Sequence, residues 1–303
     1  MLPYLVLLGA QLAVGAAAIF ARYAIDGAGP LAVAASRLTI ATVVLLGIGL
    51  FRRSTVKLRT RRERWIFITA GIALAIHFAA WIWSLEYTTV AISTLLVTST
   101  PIWTALYDAV VIRRPLSRAA ALAFATGAVG LVMVVGFDRT PPPHPGHELF
   151  GAALALLGSA GIAAYLLLVR EVRDRFSTRA IVTRTYGWSA VALIIGAAFA
   201  RQTPPPLHAS SAWGGILAMA FISQLLGHTA LNASLQWFTP SAISFATLLE
   251  PVFAAVLALA IFGEAVSPPA ILGGIILLGS IAVVLKEERR ELDGSGLPIG
   301  PVQ

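Results

Sequence analysis

Apolar stretches about as long as a membrane is thick recur along almost the whole chain, and this recurrence restricts the fold most. The hydrocarbon core of a bilayer is about 30 Å thick, and a helix crosses it in about 20 residues. A signal peptide or a single anchor accounts for one such stretch, but not for many. We place ten transmembrane helices, at residues 3–24, 30–51, 65–84, 90–112, 118–137, 149–169, 180–200, 213–235, 241–262 and 269–285. The predicted fold class is therefore an all-α integral membrane protein.

The composition supports lipid as the solvent for most of the chain. Only 12% of the 303 residues are charged, whereas soluble domains carry about 25%. The net charge of +8 does not indicate a nucleic-acid partner, because the basic residues form short clusters between apolar stretches. The chain contains no cysteine, which excludes disulfides and thiolate chemistry.

The distribution of Lys and Arg predicts the orientation in the membrane. With ten alternating helices, four segments fall on one face and carry seven, three, four and three of the 22 basic residues: 52–64, 113–118, 170–179 and 286–290. The opposite face carries only Arg139 and Arg201. Because positive loops mark the cytoplasmic side, we expect both termini in the cytoplasm and a bacterial inner membrane as the location.

The second half of the sequence resembles the first. Pro101 recurs as Pro251 at an offset of 150, and His77 recurs as His228 at an offset of 151. Each half holds five predicted helices, an odd number, so the second half must enter the membrane from the opposite side. Inverted repeats are typical of secondary transporters, although a duplication can also serve only as a scaffold. We expect repeats at 1–137 and 149–286, followed by a disordered cytoplasmic tail at 287–303.

The most specific pattern runs from Leu249-Glu250-Pro251 to Gly263-Glu264. Together with Arg37, Pro101 and Tyr165, it resembles the EamA-type transporters of the drug/metabolite transporter superfamily, and the resemblance covers nearly the whole chain. It implies ten helices, cytoplasmic termini and export of small metabolites from a central cavity. The chain departs from the family pattern after the fourth helix, where Arg113-Arg114 replaces a Gly-Glu pair.

Polar side chains at membrane depth are the first candidates for a substrate site, since a charge there costs about 2.5–3.5 kcal/mol. His77 and Trp81 share one helix face by their spacing, and Gln224, His228 and Asn232 share one face of the repeat-related helix. We expect the two faces to oppose each other across a cavity. The alternative is that each histidine only bonds neighbouring backbone.

Further candidates lie in other helices. Glu250, before Pro251, can bind a cationic group or a proton, or can cap a broken turn. Four more residues are expected to line the cavity, although aromatic residues also collect at membrane interfaces: Gln11, Trp103, Tyr107 and Tyr165. For Arg37 and Arg184 we favour structural pairing over anion binding, which is the alternative, and their side chains can snorkel to the interface. Asp108 is expected to pair with Arg113 or Arg114.

These features predict a secondary transporter that exports a small organic metabolite, such as an amino acid, by alternating access. The chain lacks the glycine-rich phosphate loop of an ATPase and the motifs of common hydrolases, so we expect neither an enzyme nor a cofactor. The expected partners are a small-molecule substrate and the lipid bilayer. A coupling proton, and the choice between monomer and homodimer, stay open. The alternatives are a membrane-embedded metal-dependent enzyme using both histidines and Glu250, and a non-transporting receptor or assembly factor.

Overall fold

The computed structural model describes residues 2–51, 58–111, 113, 118–137, 141, 144–234, 237, 246–247 and 249–294. In these ranges all regular structure is helical and there is no strand, so the predicted all-α class is confirmed. The first half contains α1 Leu2–Gly15, α2 Ala17–Ile25, α3 Pro30–Phe51, α4 Arg61–Ser84, α5 Val90–Val97, α6 Thr100–Val110 and α7 Arg118–Phe137. The second half contains α8 Glu148–Arg170, α9 Thr178–Phe199, α10 Ser210–Ala218, a π-helical segment Met219–His228, α11 Thr229–Ser234, α12 Glu250–Phe262 and α13 Pro268–Gly294.

Six helical segments are long and apolar enough to cross a membrane: Leu2–Ile25, Pro30–Gly49, Arg61–Ser84, Glu148–Arg170, Thr178–Phe199 and Ser210–Ser234. Four shorter apolar helices lie where the remaining spans are predicted, at Val90–Thr104, Ala121–Val134, Glu250–Phe262 and Pro268–Val283. The protein is thus a multi-pass membrane protein, while the topology of ten crossings stays a prediction.

Helix α4 begins four residues earlier than predicted, because a capping box fixes its first turn. The Thr60 hydroxyl accepts a hydrogen bond from the Glu63 backbone N–H, and the Glu63 carboxylate accepts one from the Thr60 backbone N–H. These bonds satisfy two backbone donors that a helix start otherwise leaves unpaired.

The span predicted at 90–112 is interrupted, because the helix breaks between α5 and α6 at Thr98 and Ser99. Pro101 has no N–H to donate to the carbonyl of Val97, the acceptor that a continuous helix would use. The Ser99 hydroxyl instead donates to the carbonyl of Leu96 at 2.5 Å. Helix α12 likewise begins at Glu250, directly before Pro251, and residues 241–245 of that predicted span lie outside the described residues.

Helix α13 continues to Gly294, so residues 287–294 are helical and the predicted disordered tail does not begin at 287. The sequence Lys286-Glu287-Glu288-Arg289-Arg290 consists of strong helix formers, and Glu287 stands three positions before Arg290, which favours the extension. Residues 295–303 lie outside the described residues.

The two halves pack along their whole length against each other. Helix α4 packs on α8, α3 on α9, α1 on the π-helical segment, α5 on α12, and α7 on α13. Glycines allow backbones to approach closely: a Cβ atom on Gly161 of α8 would lie 2.8 Å from the backbone nitrogen of His77. The interface between the halves therefore forms the protein core, and the polar residues buried in it define the candidate site.

Candidate functional site

The buried guanidinium of Arg37, in α3, lies at the centre of this interface. The side chain is fully buried, and its Nε and Nη2 atoms donate to the Gln224 carbonyl oxygen at 3.0 and 2.7 Å. Its Cζ atom lies 4.1 Å from the centroid of the Phe78 ring, within the range of a cation–π contact. Arg37 thus does not snorkel to the membrane interface, because an amide and an aromatic face hold it inside the bundle.

The paired histidines meet beside Arg37. The ring centroids of His77 and His228 are 6.4 Å apart, and Trp81 stacks almost parallel to His77 at the same centroid distance. The structure therefore brings together the two helix faces that the sequence predicts to oppose each other. The Gly158 carbonyl accepts a hydrogen bond from Nδ1 of His77 at 2.8 Å, as the structural alternative for this histidine requires. Since a carbonyl only accepts, Nε2 is the acceptor of a neutral His77 ring.

We name Arg37, His77, Phe78, Trp81, Gln224 and His228 the central cluster. Helices α3 and α4 of the first half supply four of these side chains, and the π-helical segment of the second half supplies the other two. A π-helical turn widens the backbone and is frequent at functional sites. Here the segment begins at Met219 and ends at His228, so it carries both second-half members.

Asn232 and Tyr165 extend the central cluster. The Tyr165 hydroxyl donates to the Asn232 side-chain oxygen at 3.4 Å, and the Asn232 amide donates to the carbonyl of His228 at 2.9 Å. Gln11 of α1 is fully buried, and neither of its amide atoms has a hydrogen-bond partner among the described residues.

Three predicted site residues do not join the central cluster in the described part of the chain. Trp103 and Tyr107, on α6, are half-buried, and no hydrogen bond or ring contact joins them to the cluster residues. Glu250 is buried at the start of α12, where its backbone lies next to Gly15 of α1. The described residues contain no group of three His, Cys, Asp or Glu side chains suited to a metal ion, so Glu250 does not complete a metal site with the two histidines. The side chain of Asp108 lies outside the described residues.

A second polar network joins the halves near one end of the bundle. Nη2 of Arg22, in α2, is 2.7 Å from a carboxylate oxygen of Glu264, and both side chains are mostly buried. The other carboxylate oxygen of Glu264 accepts a bond from the Val90 backbone N–H at 2.9 Å, and Arg22 also donates to the Thr88 carbonyl at 3.3 Å. This Arg22–Glu264 network ties α2 and the start of α5 to the turn after α12. Under the predicted orientation it lies at the outer face.

Ion pairs also join the halves at the opposite end. Glu63 pairs with Arg175, and Arg62 pairs with Glu171 at 2.6 Å. These pairs link the start of α4 to the turn after α8, where the predicted cytoplasmic basic clusters lie. The Arg62–Glu171 pair is exposed and adds little stability.

Comparisons with known proteins agree with this architecture. The EamA-like transporter family matches residues 1–136 and, separately, residues 149–286. A relative named "Uncharacterized transporter YyaM", from Bacillus subtilis (strain 168), is 24% identical over 280 residues, which is 91% of this chain and 90% of that protein. A solved structure described as "Crystal structure of protein" superposes with a TM-score of 0.62 at 18% identity, covering 95% of this chain and 98% of that one. The similarity to this solved structure concerns the fold alone.

Proposed function

Because the chain belongs to the EamA-like transporter family, we propose that it is a secondary transporter that exports small organic metabolites, such as amino acids, by alternating access. The family and the transporter relative make it a membrane transporter. The substrate, the direction and the mechanism are our proposal. The observation that carries it is the central cluster, a set of buried polar and aromatic side chains supplied by both halves.

Two independent observations support a repeat, and the odd number of predicted spans in each half would make it an inverted one. The family matches each half separately, over 1–136 and 149–286. The packing also obeys the exchange of each span with the span five further on. Helix α4 is the third predicted span and α8 is the sixth, so the exchange predicts a contact between the eighth span and the first. The π-helical segment, in the eighth span, does pack on α1, in the first. The contacts α3–α9, α5–α12 and α7–α13 each map onto themselves.

The positions of the polar groups support alternating access. The central cluster lies where the halves meet, so a rotation of one half against the other changes its shape and its access. The Arg22–Glu264 network closes the bundle at the predicted outer face by joining both halves. We infer that this arrangement is an outward-closed state, and that the network breaks when the transporter opens outward.

Counterflow in proteoliposomes tests the proposal. Vesicles loaded with an unlabelled mixture of the twenty amino acids should accumulate at least one labelled amino acid when they contain the protein. His228→Ala should reduce accumulation at least about tenfold, a loss of roughly 1.4 kcal/mol, while the exposed loop variant His208→Ala should not. If none of the twenty amino acids accumulates, the proposed substrates are contradicted. Equal accumulation rates for the two variants would exclude His228 from the site.

The direction of transport needs a cellular assay. Cells that overproduce the chain should release the same amino acid into the medium faster than cells that produce the His228→Ala variant. Faster uptake with unchanged release would overturn export but leave transport standing.

A further inference from the structure

The guanidinium of Arg37 carries a charge that the protein does not neutralise in its described part. The three ion pairs among the described residues are Arg22–Glu264, Arg62–Glu171 and Arg175–Glu63, and none of them includes Arg37. A buried cation is expensive unless it is paired, because the attraction to water that it gives up is not replaced. The aromatic faces and the single amide oxygen around Arg37 replace only part of this lost attraction to water.

The hydrogen bonds of Arg37 leave one edge of the guanidinium available. Gln224 accepts from Nε and Nη2 with the same oxygen, which occupies the edge between these atoms. Nη1 has only the thioether sulfur of Met219, at 4.0 Å, which is a weak acceptor. A guanidinium has five N–H donors, so the edge formed by Nη1 and the second N–H of Nη2 lacks an oxygen acceptor among the described side chains.

A second unpartnered donor lies near this edge. Trp81 is 6% exposed, and its indole N–H has no hydrogen-bond partner among the described residues. The Trp81 ring centroid is 5.9 Å from Cζ of Arg37. Two buried donors within a few ångströms of each other thus await acceptors, and the titratable residues near them, His77, His228 and Tyr186, bring no carboxylate.

We propose that this edge binds the carboxylate of the transported metabolite, with Arg37 holding the carboxylate oxygens and the Trp81 indole N–H donating a further hydrogen bond. The inference rests on the proposed function and assigns the recognised chemical group within it. A guanidinium matches a planar carboxylate with two parallel hydrogen bonds. Binding removes the cost of the buried charge, so the occupied cluster is more stable than the empty one.

Thermal unfolding of the purified protein in dodecyl maltoside tests the assignment. The probes are the twenty L-amino acids and the corresponding amino-acid amides, which lack the carboxylate. At least one amino acid should raise the unfolding temperature, and its amide should not. The carboxylate assignment would be overturned if the amide stabilised the protein as much as the amino acid does. It would also be overturned if none of the amino acids raised the unfolding temperature. In the second case, accumulation of an amino acid in the counterflow assay would still leave the proposed transport function intact.

Two variants identify the donors. Arg37→Gln should weaken the binding of the stabilising amino acid about 10- to 100-fold, as expected for a lost charged hydrogen bond, without lowering the unfolding temperature of the ligand-free protein. Unchanged binding by a folded Arg37→Gln variant would overturn the proposal.

Trp81→Phe keeps an aromatic ring and removes the N–H, so it gives a second test if Arg37→Gln fails to fold. It should weaken binding several-fold at unchanged stability. Trp65→Phe, at an exposed position of α4, is the matched control and should bind normally. Equal affinities of the two tryptophan variants would remove Trp81 from the carboxylate site.

Discussion

The closest contact between α4 and α8 provides a quantitative test of the packing. A Cβ atom on Gly161 would lie 2.8 Å from the His77 nitrogen and 2.9 Å from the Ala73 carbonyl oxygen. Both are backbone atoms, which cannot rotate away as a side chain can. Ordinary van der Waals contact begins near 3.4 Å, so Gly161→Ala must push the helices apart by about 0.6 Å. Overpacking of this kind costs about 1–3 kcal/mol.

A matched variant separates this strain from helix propensity. Replacing a helical glycine by alanine stabilises a helix by up to about 1 kcal/mol on its own. A Cβ atom on Gly196, in α9, would have no neighbouring atom within 4 Å. Gly196→Ala should therefore show the gain in helix stability without the clash. The difference in unfolding free energy between the two variants should therefore equal the strain, about 1–3 kcal/mol.

Unfolding in mixed detergent micelles, followed by circular dichroism, measures both free energies. Because the clash involves the backbone of His77, Gly161→Ala should also lower counterflow activity, whereas Gly196→Ala should keep it. If Gly161→Ala is as stable as Gly196→Ala, then α4 and α8 do not approach as closely as described. The reasoning from Gly161 to the position of His77 then fails.

Three further predictions concern the ends of the helices. Thr60→Ala should lower the unfolding free energy by about 1 kcal/mol through loss of the capping box, measured against Thr69→Ala, whose exposed hydroxyl bonds only its own helix. Glu264→Gln should lower the unfolding temperature, because it removes the ion-pair partner of the mostly buried Arg22; an unchanged temperature would show that the network does not hold the halves together. Burial raises the pKa of Glu86, in the turn after α4, above its ordinary value of 4.5, so the native state holds this proton more tightly than the unfolded chain. The resulting stabilisation is complete below pH 4.5 and is lost as the pH rises through the raised pKa; Glu86→Gln should flatten this part of the stability–pH curve, and a curve of the same shape would refute it.

The positions of most helices follow from sequence because lipid enforces a simple rule of length and polarity. Predicted spans such as 30–51 and 118–137 coincide with α3 and α7. The rule fails where local chemistry outweighs it. Thr60 extends α4 by hydrogen bonding, and Pro101 follows Thr98-Ser99-Thr100 within a stretch that is apolar on average, so hydropathy averaged over the span does not reveal the break.

Helix periodicity predicts only part of the candidate site. The spacing of His77 and Trp81 defines one face, and the repeat places His228 opposite, so their proximity could be expected. The inward position of Arg37 depends on how α3 packs against α4 and the π-helical segment, which no spacing encodes. Trp103 lies beyond the break before α6, so spacing along a single helix does not relate it to the central cluster, and its place in a cavity stays a prediction.

The two repeat-related arginines show how one site can arise in a duplicated scaffold. Arg37 and Arg184 occupy equivalent positions, yet Arg37 binds the Gln224 amide while Arg184 donates to its own Ala180 carbonyl at 2.9 Å. At the offset of the histidine pair, the residue equivalent to Gln224 is Ala73, whose methyl group offers no acceptor. Arg184 is partly buried and lies over two phenylalanine rings. The Gln224 amide holds the first-half cation inside the bundle, and this is why we propose a site on the α3 side.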